Sequence, residues 1–412
     1  MTAIREDLRA AFDAAVAAAH PSRILSQQLP PRPKGEAFVF AVGKAAVPMA
    51  EAVEADWGTE SLNGLVVAPH GAEVDSSLRA LSLATASHPY PDAPGAASAT
   101  RLRTAVAAVP ANAPVLFLLS GGASSLLLAV EGGPTPDVLQ AGTRALLNGG
   151  ADIHALNTVR RALSPLLGGS LAQICRGQMT TLAISDVVGD DPVSIGSGPT
   201  VPSPTGAMDA LNLLRHYGAL NPALEAWLQE QAQTQEQQRD FEADYRIIAS
   251  GPLSLKAAEQ HLCALGHDAT ITADAQVGLA DDNALMLAER VRRRPAGRPQ
   301  VWLMGGEVDV RVNGTGRGGR NVQFAARLAQ ALDGVPGWTF LGADTDGQDG
   351  NAPNAGAFCD STSWARAREA GLDPDAMLAA NDAHSLFEAL GDALITGPTG
   401  TNVNDFRALA LV

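Results

Sequence analysis

A chain of 412 residues exceeds what one hydrophobic core usually serves, so two or three domains are expected at roughly 100–200 residues each. With 46% hydrophobic and 18% charged residues, the composition excludes a disordered chain. A formal net charge of −15 favours solubility and weighs against nucleic acid or an anionic membrane as partner, since both need lysine and arginine to neutralise phosphate.

The first twenty residues set Arg5, Glu6, Asp7, Arg9 and Asp13 among alanines, the pattern of an amphipathic helix and not of an export signal. No apolar run is long enough to span a bilayer, so a cytoplasmic location is expected. Strands are predicted at Phe38–Val42, Leu65–Ala68, Leu81–Ala86, Val115–Leu119, Thr181–Ser185, Tyr245–Ala249 and Ala269–Thr272. Further strands are expected at Val301–Met304, Val308–Val312, Trp338–Gly342 and Ala393–Ile395, with a hairpin at Gly305-Gly306. Helical stretches separate most of these runs, which predicts an α/β protein with mostly parallel, helix-covered sheets. The Gln- and Glu-rich stretch Gln229–Asp240 marks the expected division into residues 1–238 and 239–412. Cys175, Cys263 and Cys359 are dispersed and outside any CxxC pair, so they form neither a disulfide framework nor a zinc site. His70, His88 and His154 lack metal-ligand spacing and read as structural.

Many predicted strands end in Gly, Ser or Asp, and open α/β sheets bind ligands at their carboxyl ends. The run Val115–Leu119 passes into Ser120, Gly121, Gly122, Ala123, Ser124 and Ser125, a turn that can present backbone N–H groups and a helix start to phosphate. GxxxxGK[ST] is absent, so this is not a P-loop. Lys44 follows another strand end and can reach a phosphate or carboxylate as a point charge. Two acidic turns, one with Asp186, Asp190 and Asp191 and one with Asp344, Asp346 and Asp349, follow predicted strands and suit Mg²⁺ or a proton acceptor. Turn chemistry alone also explains Asp and Gly there. Gly314 to Gly319 fits GxGxxG, which leaves a dinucleotide site as a rival, although Arg317 and Arg320 suit bidentate anion capture instead. The polar stretch Ile395–Asp405 is dense in small donors, as expected of a loop tied down by a ligand.

Taken in order, seven blocks resemble the glycerate 2-kinase family, whose C-terminal part is the MOFRL domain. They are AVGKA at 41–45, SGGASSL at 120–126, NTVRRALSPLLGGSLA at 157–172, SDVVGDDPVSIGSGPT at 185–200, residues 305–321, TDGQDG at 345–350 and GPTGTNVND at 397–405. The resemblance implies a Rossmann-like N-terminal domain, a MOFRL-like C-terminal domain and an active site in a cleft between them. It implies ATP and Mg²⁺, with phosphoryl transfer to the 2-hydroxyl of D-glycerate, and leaves a homodimer open. Matched positions imply Lys44, Arg320, Asp186, Asp346 and Asn402 as the reacting centre. Ser120, Gly121, Gly122, Ser124, Ser125, Gly198, Thr200, Gly397, Thr399 and Thr401 would bind the nucleotide, and Asp186 and Asp190 the metal. Two departures stand out. The family usually shows Lys-Gly-Gly where this chain has Leu167-Gly168-Gly169, and Arg-Asn-Gln-Glu where it has Arg320-Asn321-Val322-Gln323. Members have also been named hydroxypyruvate reductase, an NAD(P)H-dependent alternative in tartrate and glycerate metabolism.

Overall fold

The computed structural model describes residues 3–72, 74, 76–235, 241–294 and 297–412. The described residues divide into two compact units, Ile24–Ile248 and the pair of segments Met1–Arg23 and Ala249–Val412. The expected division near residue 238 falls outside the described residues, and the Gln-rich stretch before it ends the helix Pro222–Gln235. No helix among the described residues is long and apolar enough to cross a membrane.

Ile24–Ile248 carries a six-stranded sheet of β1 (Ala37–Val42), β2 (Leu62–Pro69), β3 (Ser82–Ala86), β4 (Pro114–Leu119), β5 (Gln178–Ile184) and β6 (Asp244–Ala249) in the order β3-β2-β1-β4-β5-β6. The pairings of β3 with β2, β2 with β1, β1 with β4 and β4 with β5 are parallel. Parallel strands need crossover connections and are buried on both faces, which is why β1 and β4 read as continuous apolar runs. Val115 to Leu119 are all buried, and their transfer from water contributes on the order of 10 kcal/mol against chain entropy. The order is that of a doubly wound sheet. The chain winds one way from β1 to β3, then the other way from β4 to β6, so the carboxyl ends of β1 and β4 flank a switch point where ligands bind.

Met1–Arg23 and Ala249–Val412 build a second sheet from β7 (Ala269–Gln276), β8 (Gln300–Gly306), β9 (Trp338–Asp344), β10 (Gly356–Asp360), β11 (Ala393–Leu394) and β12 (Asp405–Leu411), in the order β11-β10-β9-β12-β8-β7. Only β7 and β8 pair in parallel; β12 runs antiparallel to both β8 and β9, and β10 to both β9 and β11. The expectation of mostly parallel strands therefore holds for the first sheet and not for this one. The reversals come from β12, which enters at the centre from the chain's far end, and from β10, which runs opposite to β9 and β11. Three local expectations also change. Val308–Val312 forms only an isolated bridge, between Asp309 and Leu279. No hairpin forms at Gly305-Gly306, because β8 runs through both residues. The loop expected to need a ligand is held by the protein: Thr399 Oγ1 donates to Thr345 O at 2.6 Å, Thr401 Oγ1 to Ala19 O at 2.8 Å, and Thr345 Oγ1 to Asn404 O at 2.7 Å.

The N-terminal helix Ala3–Ala17 buries Leu8, Ala11, Phe12 and Ala15, one stripe at helical spacing. Phe12 meets Phe406 of β12 edge-on, with centroids 5.6 Å apart. Arg5 donates to Asp392 at 2.5 Å and to Asp360 at 2.6 Å. These contacts fix the helix in the unit formed mainly by the C-terminal half, where the expected boundary had placed it in the first domain.

At the centre of the second sheet, Arg407 is fully buried, pairs with Asp405 and lies 4.8 Å over the Phe324 ring. Removing one partner of a buried ion pair leaves an uncompensated charge. Arg407→Ala should lower stability by about 3 kcal/mol, read as a shift in urea midpoint by tryptophan fluorescence. An unchanged midpoint would contradict this placement.

Candidate active site

At the switch point the backbone is cross-linked before any ligand arrives. Lys44 N donates to Gly121 O at 2.8 Å, and Ala45 N donates to Ser120 Oγ at 3.0 Å. These bonds tie the loop after β1 to the loop after β4. The approach is close enough to exclude side chains: a Cβ on Gly43, at φ 128°, would lie 2.3 Å from Ser120 Oγ. A Cβ on Gly121 would lie 1.8 Å from Asp186 Oδ2. Asp186, at the end of β5, is thereby held against the glycine turn. Ser124 Oγ hydrogen-bonds Ser197 Oγ at 2.8 Å, and Ser125 Oγ donates to Gly122 O at 3.0 Å. The Lys44 side chain is exposed and makes no ion pair among the described residues.

Thus Lys44, Ser120, Gly121, Gly122, Ser124, Ser125 and Asp186 are brought together. Gly198 and Thr200 brace the neighbouring loop instead: Gly198 O accepts from Gly169 N at 2.7 Å, and buried Thr200 pairs with Thr181 at 2.9 Å. Leu167 belongs to the apolar core and is 1% exposed, so the family's lysine position faces no solvent here. Asp190 sits at φ 54° with a buried Oδ1 that has no hydrogen-bond partner. Among the described residues no three His, Cys, Asp or Glu side chains converge as a metal cage. Mg²⁺ does not need one, because it keeps waters and phosphate oxygens; an orphaned Asp190 oxygen and Asp186 are donors of the right chemistry.

The second group of expected residues lies on the other sheet. The register sets Asp405 of β12 opposite Gly306 of β8 and Asp344 of β9, so both carboxylates and Glu307 gather at one sheet end. Arg320, the first residue of the helix Arg320–Ala331, spans them. Its Nε donates to Asp405 at 2.7 Å, one NH₂ to Asp344 at 2.8 Å and the other to Glu307 at 3.2 Å. Desolvation works against the guanidinium charge, but the carboxylates of Asp405, Asp344 and Glu307 outweigh it and raise its pKa. The two buried carboxyls diverge. Burial pushes Asp344 well above the usual range, with Asp346 and Asp405 adding to it. Asp405 stays low, because Arg407, Arg320 and Asn321 all stabilise its charge against burial.

Asp346 N donates to Asp344 Oδ1 at 3.1 Å, and Asp346 Oδ1 accepts from Gln348 N at 2.8 Å. Asn402 Oδ1 accepts from Asn404 N at 3.0 Å, within the loop that also holds Gly397, Thr399 and Thr401. The hydroxyl protons of Thr399 and Thr401 are already given to backbone carbonyls. Sequence reasoning missed Glu307 and Asp405 as partners of Arg320, since only the pairing of β12 with β8 and β9 reveals them.

The GxGxxG stretch is filled by protein. A Cβ on Gly314 would lie 2.3 Å from Ala380 O, and on Gly316 2.5 Å from Asp382 N. On Gly319 it would lie 2.5 Å from Asp349 Oδ1. These glycines let the loop pack on its own unit and do not open a backbone surface to a pyrophosphate.

Asp349 caps the helix Arg320–Ala331 from outside, accepting Asn321 N at 3.0 Å and Val322 N at 2.8 Å. Burial pushes its carboxyl up to about 6, although both backbone donors oppose the rise. A carboxyl raised above its unfolded value of 3.8 stabilises fully below that pH and loses its contribution as pH climbs through about 6. Chemical denaturation from pH 4 to 7 should therefore show a decline in stability that Asp349→Asn lacks. Parallel curves for the two proteins would refute the shift.

A family profile described as a domain of unknown function, DUF4147, matches residues 7–229, and one described as the MOFRL family matches residues 300–405. The chain is 39% identical to an Agrobacterium vitis protein provisionally named a hydroxypyruvate reductase, over 99% of this chain and 94% of that one. It is 34% identical to the D-glycerate 2-kinase of Thermotoga maritima, over 95% of this chain and 94% of that protein. The crystal structure of glycerate kinase from Thermotoga maritima matches with a TM-score of 0.90 and 30% identity, over 100% of both chains. With both profiles in order and near-complete coverage of such relatives, the chain belongs to the MOFRL-domain glycerate kinase family.

Proposed function

We propose that this protein is an ATP-dependent kinase that phosphorylates D-glycerate at its 2-hydroxyl, giving 2-phosphoglycerate and ADP. The observation that carries the reading is the meeting of Lys44, the Ser120–Ser125 turn and Asp186 at the switch point of the first sheet. Relatives named for this activity support it.

Phosphoryl transfer asks little covalent help of a protein. It needs an acceptor oxygen in line with the γ-phosphorus and neutralisation of the charge on the transferring group. In this reading the turn from Ser120 to Ser125 holds phosphate through backbone N–H groups and hydroxyls. Lys44 supplies positive charge as a mobile point charge, and the family resemblance implies a catalytic role for Arg320, a guanidinium fixed by three carboxylates of its own unit. Asp186 and Asp190 would hold Mg²⁺, which spreads the charge of the ATP phosphates when bound. Asp346 accepts the proton of the substrate hydroxyl, with Asp186 as the second choice, and Asn402 orients the acceptor. Gly397 marks the turn of the loop that carries Asn402, at φ 68°.

The reductase alternative rested on the GxGxxG stretch, whose glycines are occupied by packing against Ala380, Asp382 and Asp349. ATP, and not NADH, should therefore raise the melting temperature. Release of ADP should depend on D-glycerate, followed in a coupled assay. Lys44→Met should lower turnover at least about 100-fold, the cost of one well-placed charge of about 3 kcal/mol, while the melting temperature holds. Near-normal turnover in that variant, or NADH oxidation by hydroxypyruvate, would remove the assignment.

A further inference from the structure

Within the second unit, the N-terminal segment meets the loop 397–404, which carries Asn402. Thr401 Oγ1 donates to Ala19 O at 2.8 Å, across 382 positions of sequence. Ala19 lies just past the helix Ala3–Ala17, where backbone carbonyls have no helical N–H to accept. Both residues are buried, so the hydroxyl satisfies a carbonyl that the helix leaves over and water does not reach. The next residue tightens the same contact: a Cβ on Gly400, at φ 78°, would lie 2.9 Å from His20 Nε2. The His20 ring is held in turn, with Nδ1 hydrogen-bonded to Ser22 Oγ at 2.8 Å.

The loop is also joined to the turn that carries Asp346. Thr399 N donates to Asp346 O at 3.1 Å, and Thr399 Oγ1 to Thr345 O at 2.6 Å. Thr345 Oγ1 accepts Val403 N at 2.9 Å while it donates to Asn404 O. Thr401, Val403, Asn404 and Asp405 are buried, and Asn402 among them is not. Its Oδ1 accepts Asn404 N at 3.0 Å, which leaves the amide nitrogen to meet a ligand. Asn402 is thus presented by a loop pinned to the Asp346 turn by Thr345 and Thr399, and to the N-terminal segment by Thr401. One buried hydrogen bond adds little to the stability of a whole unit, whereas moving a reacting group by about 1 Å can cost about 100-fold in rate.

We propose that Thr401 is a positioning residue: by tying the loop to Ala19, with the His20 ring packed on Gly400, it fixes where the Asn402 amide stands relative to Asp346. The assignment rests on the kinase reading given above and deepens it. It makes the segment 19–20 part of the device that aligns the acceptor. It also gives Thr401 a task other than the nucleotide contact that the family resemblance implies, because its hydroxyl proton is already spent on Ala19.

The test is steady-state kinetics with ATP and D-glycerate on full-length Thr401→Val, which keeps the shape and loses the hydroxyl, and on Thr401→Ser, which keeps the hydroxyl. Thr401→Val should lower kcat about 10- to 100-fold. Its KM for ATP should stay within about twofold, since the turn that holds the nucleotide belongs to the other unit. Thr401→Ser should recover activity to within about threefold of the parent. In an Asn402→Ala background, adding Thr401→Val should cost less than about twofold more, because the first change has already removed the group that Thr401 places. Should Thr401→Val not fold, His20→Ala, which loosens the same loop at Gly400, should lower kcat in its stead. Parent-like kcat in Thr401→Val, no recovery in Thr401→Ser, or full additivity with Asn402→Ala would each overturn the proposal. If the parent enzyme releases no ADP in response to D-glycerate, the kinase reading fails first; if it does so and the variants match it, only this inference fails.

Discussion

Reversal of the winding direction between β1 and β4 is the constraint on which the first unit depends. Adjacent strands whose crossovers leave in opposite directions cannot have both carboxyl ends covered by helices, so the loops after them must satisfy their own backbone groups. Here they do so across the gap, through Lys44 N to Gly121 O and Ala45 N to Ser120 Oγ. The same bonds demand glycine at 43 and 121, because any Cβ would collide with Ser120 or Asp186. A lysine, a glycine turn and a carboxylate are thereby held together by backbone, before side-chain chemistry is considered. Function inherits that rigidity.

The second unit reaches its charged cluster by another route. β12 inserts antiparallel between β8 and β9, so its first residue meets the last residues of both neighbours. Three carboxylates and Arg320 result, with Arg407 and Asn321 holding Asp405 ionised. Asp344, deprived of those extra donors, is pushed the other way by burial. A guanidinium clamped on three sides has little conformational freedom left to lose.

Much of the first sheet was legible because parallel strands buried on both faces announce themselves as apolar runs, and Phe38–Val42 and Val115–Leu119 did so. The glycine turn and both acidic turns were legible for the related reason that ligand loops sit at strand ends. β12 was not legible: Asp405–Leu411 carries Arg407, whose charge disguises a fully buried strand. β10 was missed because it is short and opens on a glycine. Val308–Val312 looked like a strand by alternation but has no neighbour with which to form a ladder. Partners such as Arg5 with Asp360 and Asp392, or Arg320 with Asp405, are set by pairing over long separations that no local pattern encodes.

A phosphorus NMR spectrum of the purified protein with Mg²⁺, ATP and D-glycerate tests the central claim most directly. The account predicts that the γ-phosphate signal of ATP declines as ADP and a single new phosphomonoester at the 2-position grow in equal amounts. An unchanged ATP spectrum, or a 3-phosphate product, would contradict it.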